Sequence, residues 1–354
     1  MNLKIVELIF KLPDYITKMP LNNLHMRKNY QIKKRTGSHR FLSTLAVATP
    51  FCGILYTVHF LHLGWSMIYD LTSAPVVRQL LEQHDKRLKK SLGQNFLIDP
   101  NMIRKIVDAA ELSTTDGAIE IGPGIGALTQ QMAQHAGQVV AIEIDESLMP
   151  ILRRTLADYE NIHVICADVL KTDLNAVIAQ HMQNMQSVKL IANLPYYITT
   201  PVLMQMLASN IPFGVVMIQK EVAARITATP GTKEYGSLSV FMQYKTETTN
   251  LFGVASGCFF PKPGVDSAVI KVVRKADLLL PGQEDTLFAF VRGCFAMRRK
   301  TLYNNLQSLG IEKTAAQSAI AHLGAAADVR AERLDYNDFM QLLDWLQANG
   351  FYLK

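Results

Sequence analysis

The run Ile119-Glu120-Ile121-Gly122-Pro123-Gly124-Ile125-Gly126 carries the architecture. Apolar residues lead into a glycine-rich turn, and Leu128 to His135 beyond it has helical spacing, so the stretch reads as strand, loop and helix. Glycines there let the backbone approach a ligand with no Cβ in the way. Enzymes that bind nicotinamide dinucleotides use such a turn too. Pro123, with Glu120 ahead of the loop, points elsewhere. A pyrophosphate is held by free N–H groups at a helix N-terminus, and proline in the loop removes one. A ligand with a sulfonium cation and no phosphate does not need them.

The alternation continues downstream. Val139 to Glu143, Ile162 to Ala167, Val188 to Ala192 and Val215 to Gln219 read as strands. Leu148 to Tyr159, Leu174 to Gln183 and Pro201 to Ala208 read as helices. This pattern predicts a doubly wound, mainly parallel α/β sheet of the Rossmann-like kind. Strands at Leu238 to Tyr244 and Ala268 to Val273 are expected to close it. Upstream, Pro75 to His84 has helical spacing, Asp85 to Lys90 is a basic turn, and Ser91 to Leu97 is a glycine-containing loop. Asp99-Pro100 then signals the start of a helix over Asn101 to Ala110. Beyond Lys275 a linker at Leu278 to Gly282 leads into helical patterns at Thr286 to Phe295, Lys300 to Leu309, Ala315 to Leu323 and Asn337 to Ala348. The predicted organisation is an N-terminal extension over 1–69, an α/β domain over 70–278 and a smaller C-terminal all-helical domain over 279–354.

Two carboxylates fall at the ends of the second and third predicted strands. Glu143 lies about twenty residues after the glycine loop, where an acid can bind ribose hydroxyls. Asp168, in Cys166-Ala167-Asp168, can accept a hydrogen bond from an adenine amino group. Taken singly, each reads equally well as a solvated strand-end carboxylate. Taken in order with the glycine loop, they converge on one crevice outside the carboxyl ends of the strands.

Asn193-Leu194-Pro195-Tyr196 follows the fourth strand. The exocyclic amine of adenine is a poor nucleophile, because its lone pair is delocalised into the ring. Two acceptors on its two N–H bonds draw the nitrogen toward a pyramidal shape and free the lone pair for in-line attack on a methyl sulfonium. The Asn193 side-chain oxygen and the Leu194 carbonyl can be those acceptors. Pro195 restricts Leu194 to extended geometry, which aims that carbonyl. Tyr196 can stack on a base taken out of its helix, and Phe259, in Cys258-Phe259-Phe260-Pro261, can form the other face of the sandwich. A core position for Phe259 is an equal alternative.

Charge is unevenly spread. The net charge is +6, but residues 1–66 hold nine Lys/Arg against two Asp/Glu, leaving 27 basic and 28 acidic residues in the remainder. A nucleic-acid surface on the body is therefore a local patch. The four cysteines, Cys52, Cys166, Cys258 and Cys294, are too dispersed for a metal knuckle or a redox pair, and no metal site is expected. Phe41 to Tyr69 runs 29 residues without a charge, counting His as neutral. That length can span a bilayer, but Pro50, Gly53, His59, His62 and Gly64 make it a poor spanning helix, so membrane contact by 41–69 is disfavoured. The basic, acid-poor stretch also suits a transit segment. The favoured reading is an extension outside the working protein, with Met67 as an internal start and a cytoplasmic location.

The body resembles the bacterial ribosomal RNA small-subunit adenine N6-dimethyltransferase family. The resemblance covers about residues 70–350. It rests on Lys89-Lys90-Ser91-Leu92-Gly93-Gln94-Asn95-Phe96-Leu97, on the glycine loop from Glu120 to Thr129, on Ala141 to Asp145 and on Asn193 to Ile198. Phe260 to Ser267 and Phe295 to Leu302 complete it. It implies a class I methyltransferase that dimethylates two adjacent adenines near the 3′ end of 16S rRNA. By position, Asn95 and Leu97 would touch S-adenosylmethionine from the N-terminal loop, Gly122 its methionine end, Glu143 its ribose and Asp168 its adenine. Asn193 and Leu194 would hold the target amine, with Tyr196 and Phe259 stacking on the base. The helical tail would dock an immature 30S subunit. Lys86, Arg87, Lys89 and Lys90, with Arg298, Arg299 and Lys300, look like phosphate contacts of a monomeric enzyme. The extension over 1–69 has no counterpart.

Three other readings stand beside this one. A drug-resistance enzyme acting on a 23S rRNA adenine shares the core chemistry, and the Phe295–Leu302 motif and the size of the tail weigh against it. A binding factor that has lost turnover is opposed by the intact glycine loop and the Asn193–Tyr196 tetrapeptide. A nicotinamide-dependent oxidoreductase is disfavoured by Pro123 and the same tetrapeptide.

Overall fold

A computed structural model describes residues 30–34, 41–48, 55–62, 65–86, 88–89, 92–276 and 282–351, those before residue 69 by backbone alone. The chain divides into two units, residues 1–80 and 81–354. In the first, β1 (Tyr30–Lys34) pairs antiparallel with β4 (Trp65–Tyr69), and β2 (Phe41–Ala48) with β3 (Leu55–His62). The uncharged window is therefore extended backbone wherever it is described. Among the described residues, no helix is long and apolar enough to cross a membrane.

The second unit is organised by a seven-stranded sheet. Its strands are β6 (Asp116–Ile121), β7 (Gln138–Glu143), β8 (Ile162–Cys166), β9 (Ser187–Asn193), β10 (Phe213–Gln219), β11 (Thr246–Val254) and β13 (Ser267–Arg274). The order is β11-β13-β10-β9-β6-β7-β8. Pairings from β10 through β8 are parallel, and β13 runs antiparallel to both β10 and β11. A separate two-strand pair joins β5 (Phe96–Leu97) to β12 (Phe259–Phe260). β6 is buried along its whole length, as expected of a central parallel strand covered on both faces. The chain leaves β6 toward β7 on one side and returns to β9 on the other. The gap between β6 and β9 is thus the switch point at which such sheets bind ligands.

One face of the sheet packs Ile119, Ile142, Leu190 and Ile218 against helices Leu174–His181 and Thr199–Ala208. The other packs Ala118, Val139, Ile191 and Val215 against helices Pro100–Ala109 and Ala127–Ala133. Asp99 caps the first of these, accepting from the N–H groups of Asn101 and Met102 with Pro100 in the first turn, as its sequence signalled. A third core lies among helices Gln283–Cys294, Leu302–Ser308, Lys313–His322 and Tyr336–Ala348.

The expected strand at Leu238 to Tyr244 is a helix, Ser237–Lys245. Met242 joins the core on the sheet, while Val240 and Tyr244 join the core of the C-terminal helices. Its apolar residues therefore fall on more than one side of the helix, so the 3.6-residue period of a one-sided helix is lost and the stretch imitates a strand. The strand that borders the sheet comes next, at Thr246–Val254, with three threonines and much exposed surface. The helix expected over Leu148 to Tyr159 is shorter, a 3₁₀ turn at Glu146–Leu148 followed by Met149–Thr155.

Candidate active site

A cavity opens at the carboxyl ends of β6, β7, β8 and β9. The loop after β6 forms its floor. Gly122, Gly124 and Gly126 have φ of +70°, +61° and +92°, a region that side chains rarely adopt. A Cβ on Gly124 would stand 2.8 Å from the Phe96 ring, so glycine there also lets β5 close onto the loop. Glu120 does not reach the cavity. It is buried beneath the loop, where the Thr129 hydroxyl donates to it. Burial pushes its carboxyl up to about 8, against the Thr129 hydrogen bond and with help from the nearby Glu143 charge.

Glu143 and Asp168 both line the cavity. The Glu143 carboxylate is almost fully buried and accepts from the N–H of Asp145 at 2.8 Å and of Gly124 at 3.2 Å. Burial raises its pKa, and those N–H groups only partly oppose it. A carboxylate has about four acceptor positions, so it keeps acceptor capacity for a ligand hydroxyl. Asp168 is half-buried and caps the turn Val169–Lys171, accepting from the Leu170 N–H at 3.0 Å.

Asn193, Leu194, Tyr196 and Phe259 line the same cavity. The Asn193 side-chain NH₂ donates to the Asn95 carbonyl at 3.2 Å, which turns its oxygen to the other side. Leu194 is buried, and its N–H donates to the Met217 carbonyl at 3.0 Å, tying the tetrapeptide to β10. Pro195 has φ −56° and ψ 129°, and its carbonyl closes a turn with the Ile198 N–H. The Tyr196 hydroxyl shares a 2.7 Å hydrogen bond with Ser267 Oγ, which pins the ring. Burial raises that phenol's pKa, so it stays protonated. Phe259 is both core and wall: it is buried, belongs to the core on one sheet face, and borders the cavity.

Asn95 lines the cavity, whereas Leu97 is absent from its wall. Leu97 is a buried core residue whose strand position is opposite Phe259. From there it backs Phe259 at the cavity wall. The sequence reading also missed three residues. Ile144, Leu170 and Tyr197 line the cavity although 46%, 44% and 53% exposed, so large apolar side chains rim its mouth. Each lies one or two positions past a residue already singled out, Glu143, Asp168 or Tyr196, and that adjacency was the available signal.

The basic clusters divide. Lys86 and Lys89 both bind the buried Asp145 carboxylate, and the Lys86 side chain is only 3% exposed, so it is no phosphate contact. Arg298 donates from one guanidinium nitrogen to the carbonyls of Lys233 at 2.7 Å and Tyr235 at 2.8 Å while its side chain stays exposed. Arg299 and Lys300 are exposed. Arg87 and Lys90 lie outside the described residues. Among the described residues no group of three or more His, Cys, Asp or Glu could hold a metal ion.

Residues 85–348 match the family described as ribosomal RNA adenine dimethylase. A ribosomal RNA small subunit methyltransferase A from Pediococcus pentosaceus is 47% identical over 292 residues, covering 80% of this chain and 98% of its own. The protein of that name from Ligilactobacillus salivarius is 49% identical over 288 residues, 79% of this chain and 97% of its own. Among solved structures, a dimethyladenosine transferase from Plasmodium falciparum superposes with a TM-score of 0.62 at 26% identity, covering 72% of this chain and 98% of its own. The 23S rRNA methyltransferase ErmE gives 0.57 at 27% identity, covering 72% and 100%.

Proposed function

Since the chain belongs to the ribosomal RNA adenine dimethylase family, we propose that it dimethylates the N6 amines of two adjacent adenines near the 3′ end of 16S rRNA. It is an S-adenosylmethionine-dependent rRNA adenine methyltransferase with a class I methyltransferase sheet. The observation that carries the finer reading is the orientation of Asn193. Its NH₂ is spent on the Asn95 carbonyl, which leaves the oxygen as acceptor in a cavity also lined by Glu143 and Asp168.

The residues fit the donor. The left-handed glycines clear space at the methionine end, and two carboxylates offer acceptors for ribose hydroxyls and the adenine amine. The apolar rim of Ile144, Leu170 and Tyr197 offers a seat for a flat ring. When bound, S-adenosylmethionine supplies an electrophilic methyl group on a sulfonium. Asn193 Oδ1 and the Leu194 carbonyl accept hydrogen bonds from the target amine and draw its nitrogen out of conjugation, and the nitrogen, cationic once methylated, sheds its proton to water. Tyr196 and Phe259 hold the flipped base, the first ring locked by Ser267 and the second by the core. Catalysis is then positioning and electrostatics, and no side chain need act as a strong base.

The helices of 279–354 serve in this reading as the dock for an immature 30S subunit, with Arg299 and Lys300 as phosphate contacts of a monomeric, cytoplasmic enzyme. Residues 1–69 receive no role. The test is transfer of labelled methyl groups to small subunits that lack the modification, with the labelled positions mapped by nuclease digestion. Label on two neighbouring adenines near the 3′ end of 16S rRNA is expected. Label on 23S rRNA instead would overturn the substrate.

A further inference from the structure

The residues just ahead of β5 belong to no ladder or long helix, yet Leu92, Gly93, Gln94 and Asn95 form one wall of the cavity. Such a segment needs an anchor, because ordering free chain costs conformational entropy. Its polar anchor is Asp145, two residues beyond Glu143. The Asp145 side chain has no exposed surface. Its carboxylate accepts from Lys86 Nζ, from Lys89 Nζ at 2.9 Å, from Gln94 Nε2 at 2.6 Å and from Ser147 Oγ at 2.6 Å. Gln94 Oε1 in turn accepts from the Lys89 N–H at 2.8 Å. On the other side, the Asp145 N–H donates to Glu143 Oε1. One residue therefore holds the cavity-wall segment by its carboxylate and the Glu143 acceptor by its backbone.

Burial alone would push the Asp145 carboxyl up, but the hydrogen bonds from Lys86, Ser147, Lys89 and Gln94 outweigh it and hold the group well below the usual carboxylate range. The ion pair is thus kept at neutral pH. Buried ion pairs add little net stability compared with apolar packing, and what they supply is a defined geometry. The geometry defined here is the distance between the segment at 92–95 and the end of β7.

We propose that Asp145 is a positioning residue for cofactor binding, latching residues 92–95 over the Glu143 end of the cavity through Lys86, Lys89 and Gln94. It sets the affinity for S-adenosylmethionine and leaves the methyl-transfer step alone. This rests on the assignment of the cavity to that cofactor.

The experiment compares full-length wild type with Asp145→Asn and Lys89→Met. Calorimetry reads binding of S-adenosylhomocysteine, and steady-state assays read kcat and KM separately. If Asp145→Asn leaves the segment latched in about a tenth of the molecules, the dissociation constant and the cofactor KM rise about tenfold, because apparent affinity scales with the competent fraction. The kcat at saturating cofactor stays near wild type. Trypsin cuts within residues 86–94 of the free variant faster than in wild type, and S-adenosylhomocysteine restores protection. Lys89→Met, which removes a half-exposed partner, shifts KM in the same direction by less, and it carries the test if Asp145→Asn fails to fold. An unchanged KM, or a fall in kcat without a rise in KM, overturns the latch. Asp168→Ala separates the two readings. If it weakens binding while the latch variants do not, the latch alone fails. If neither it nor Glu143→Gln alters binding, the cavity assignment fails.

Discussion

Glu143 and Asp168 stand at or just past the ends of adjacent parallel strands, β7 and β8, and each is held by amides within its own strand–loop region or the neighbouring glycine loop. Across the cavity, Asn193 is turned by a carbonyl from before β5, Tyr196 is pinned by a serine that opens β13, and Phe259 is seated opposite Leu97. The first side is made by sheet topology, because every strand of a parallel sheet delivers its next residue to the same edge. The second is assembled from segments far apart in the chain. A carboxylate at a strand end tolerates local rearrangement. A pair of acceptors that must straddle one amine does not, since positioning errors near 1 Å cost orders of magnitude in rate.

Substitutions on the two sides should therefore differ in kind. Asn193→Ala is expected to lower kcat by about 10² to 10³, the scale seen when one preorganised polar group is lost from a transition state. Cofactor affinity should change little. Turnover near wild type, measured by single-turnover methyl transfer, would remove the side chain from the mechanism. Glu143→Gln sits on the tolerant side and should weaken cofactor binding by about tenfold, the size of one charge-assisted hydrogen bond. Its kcat at saturating cofactor should hold. A loss confined to kcat would erase the distinction between the two sides.

The smallest effect is expected beneath both sides, at Glu120. Its carboxyl is raised to about 8 from 4.5, so between those pH values the folded chain keeps a proton that the unfolded chain has lost. Its contribution is fully present below pH 4.5 and is lost as pH rises through about 8. Glu120→Gln should flatten the fall in melting temperature over that window by a few degrees. Part of the slope should survive, because burial raises Glu143 in the same direction. An unchanged slope in thermal melts from pH 5 to 8 would show that Glu120 is not held protonated.

Legibility followed range of interaction. The central strands were readable because buried parallel strands are short apolar runs between turns, and Asp99-Pro100 announced its helix because capping is local. Ser237–Lys245 was misread because its environment, a core on either side, is a property of the assembled molecule. Lys86 was misread for a related reason. A basic residue in sequence carries no sign of the partner waiting for it, here the Asp145 carboxylate.

By itself the sequence determined the parallel strands with the helices between them, the glycine loop, the strand-end acids and the Asn193–Tyr196 tetrapeptide, since each depends on neighbours within a few residues. Tertiary structure alone decided which way the Asn193 amide faces, that Phe259 is wall as well as core, and that Leu97 pairs with Phe259. It also turned Lys86, an apparent RNA-binding lysine, into a buried clasp on Asp145, with the half-exposed Lys89 beside it. The physical reason is the same in each case: a side chain's role is set by the partner that satisfies its charge or hydrogen bonds, and folding brings that partner from elsewhere in the chain.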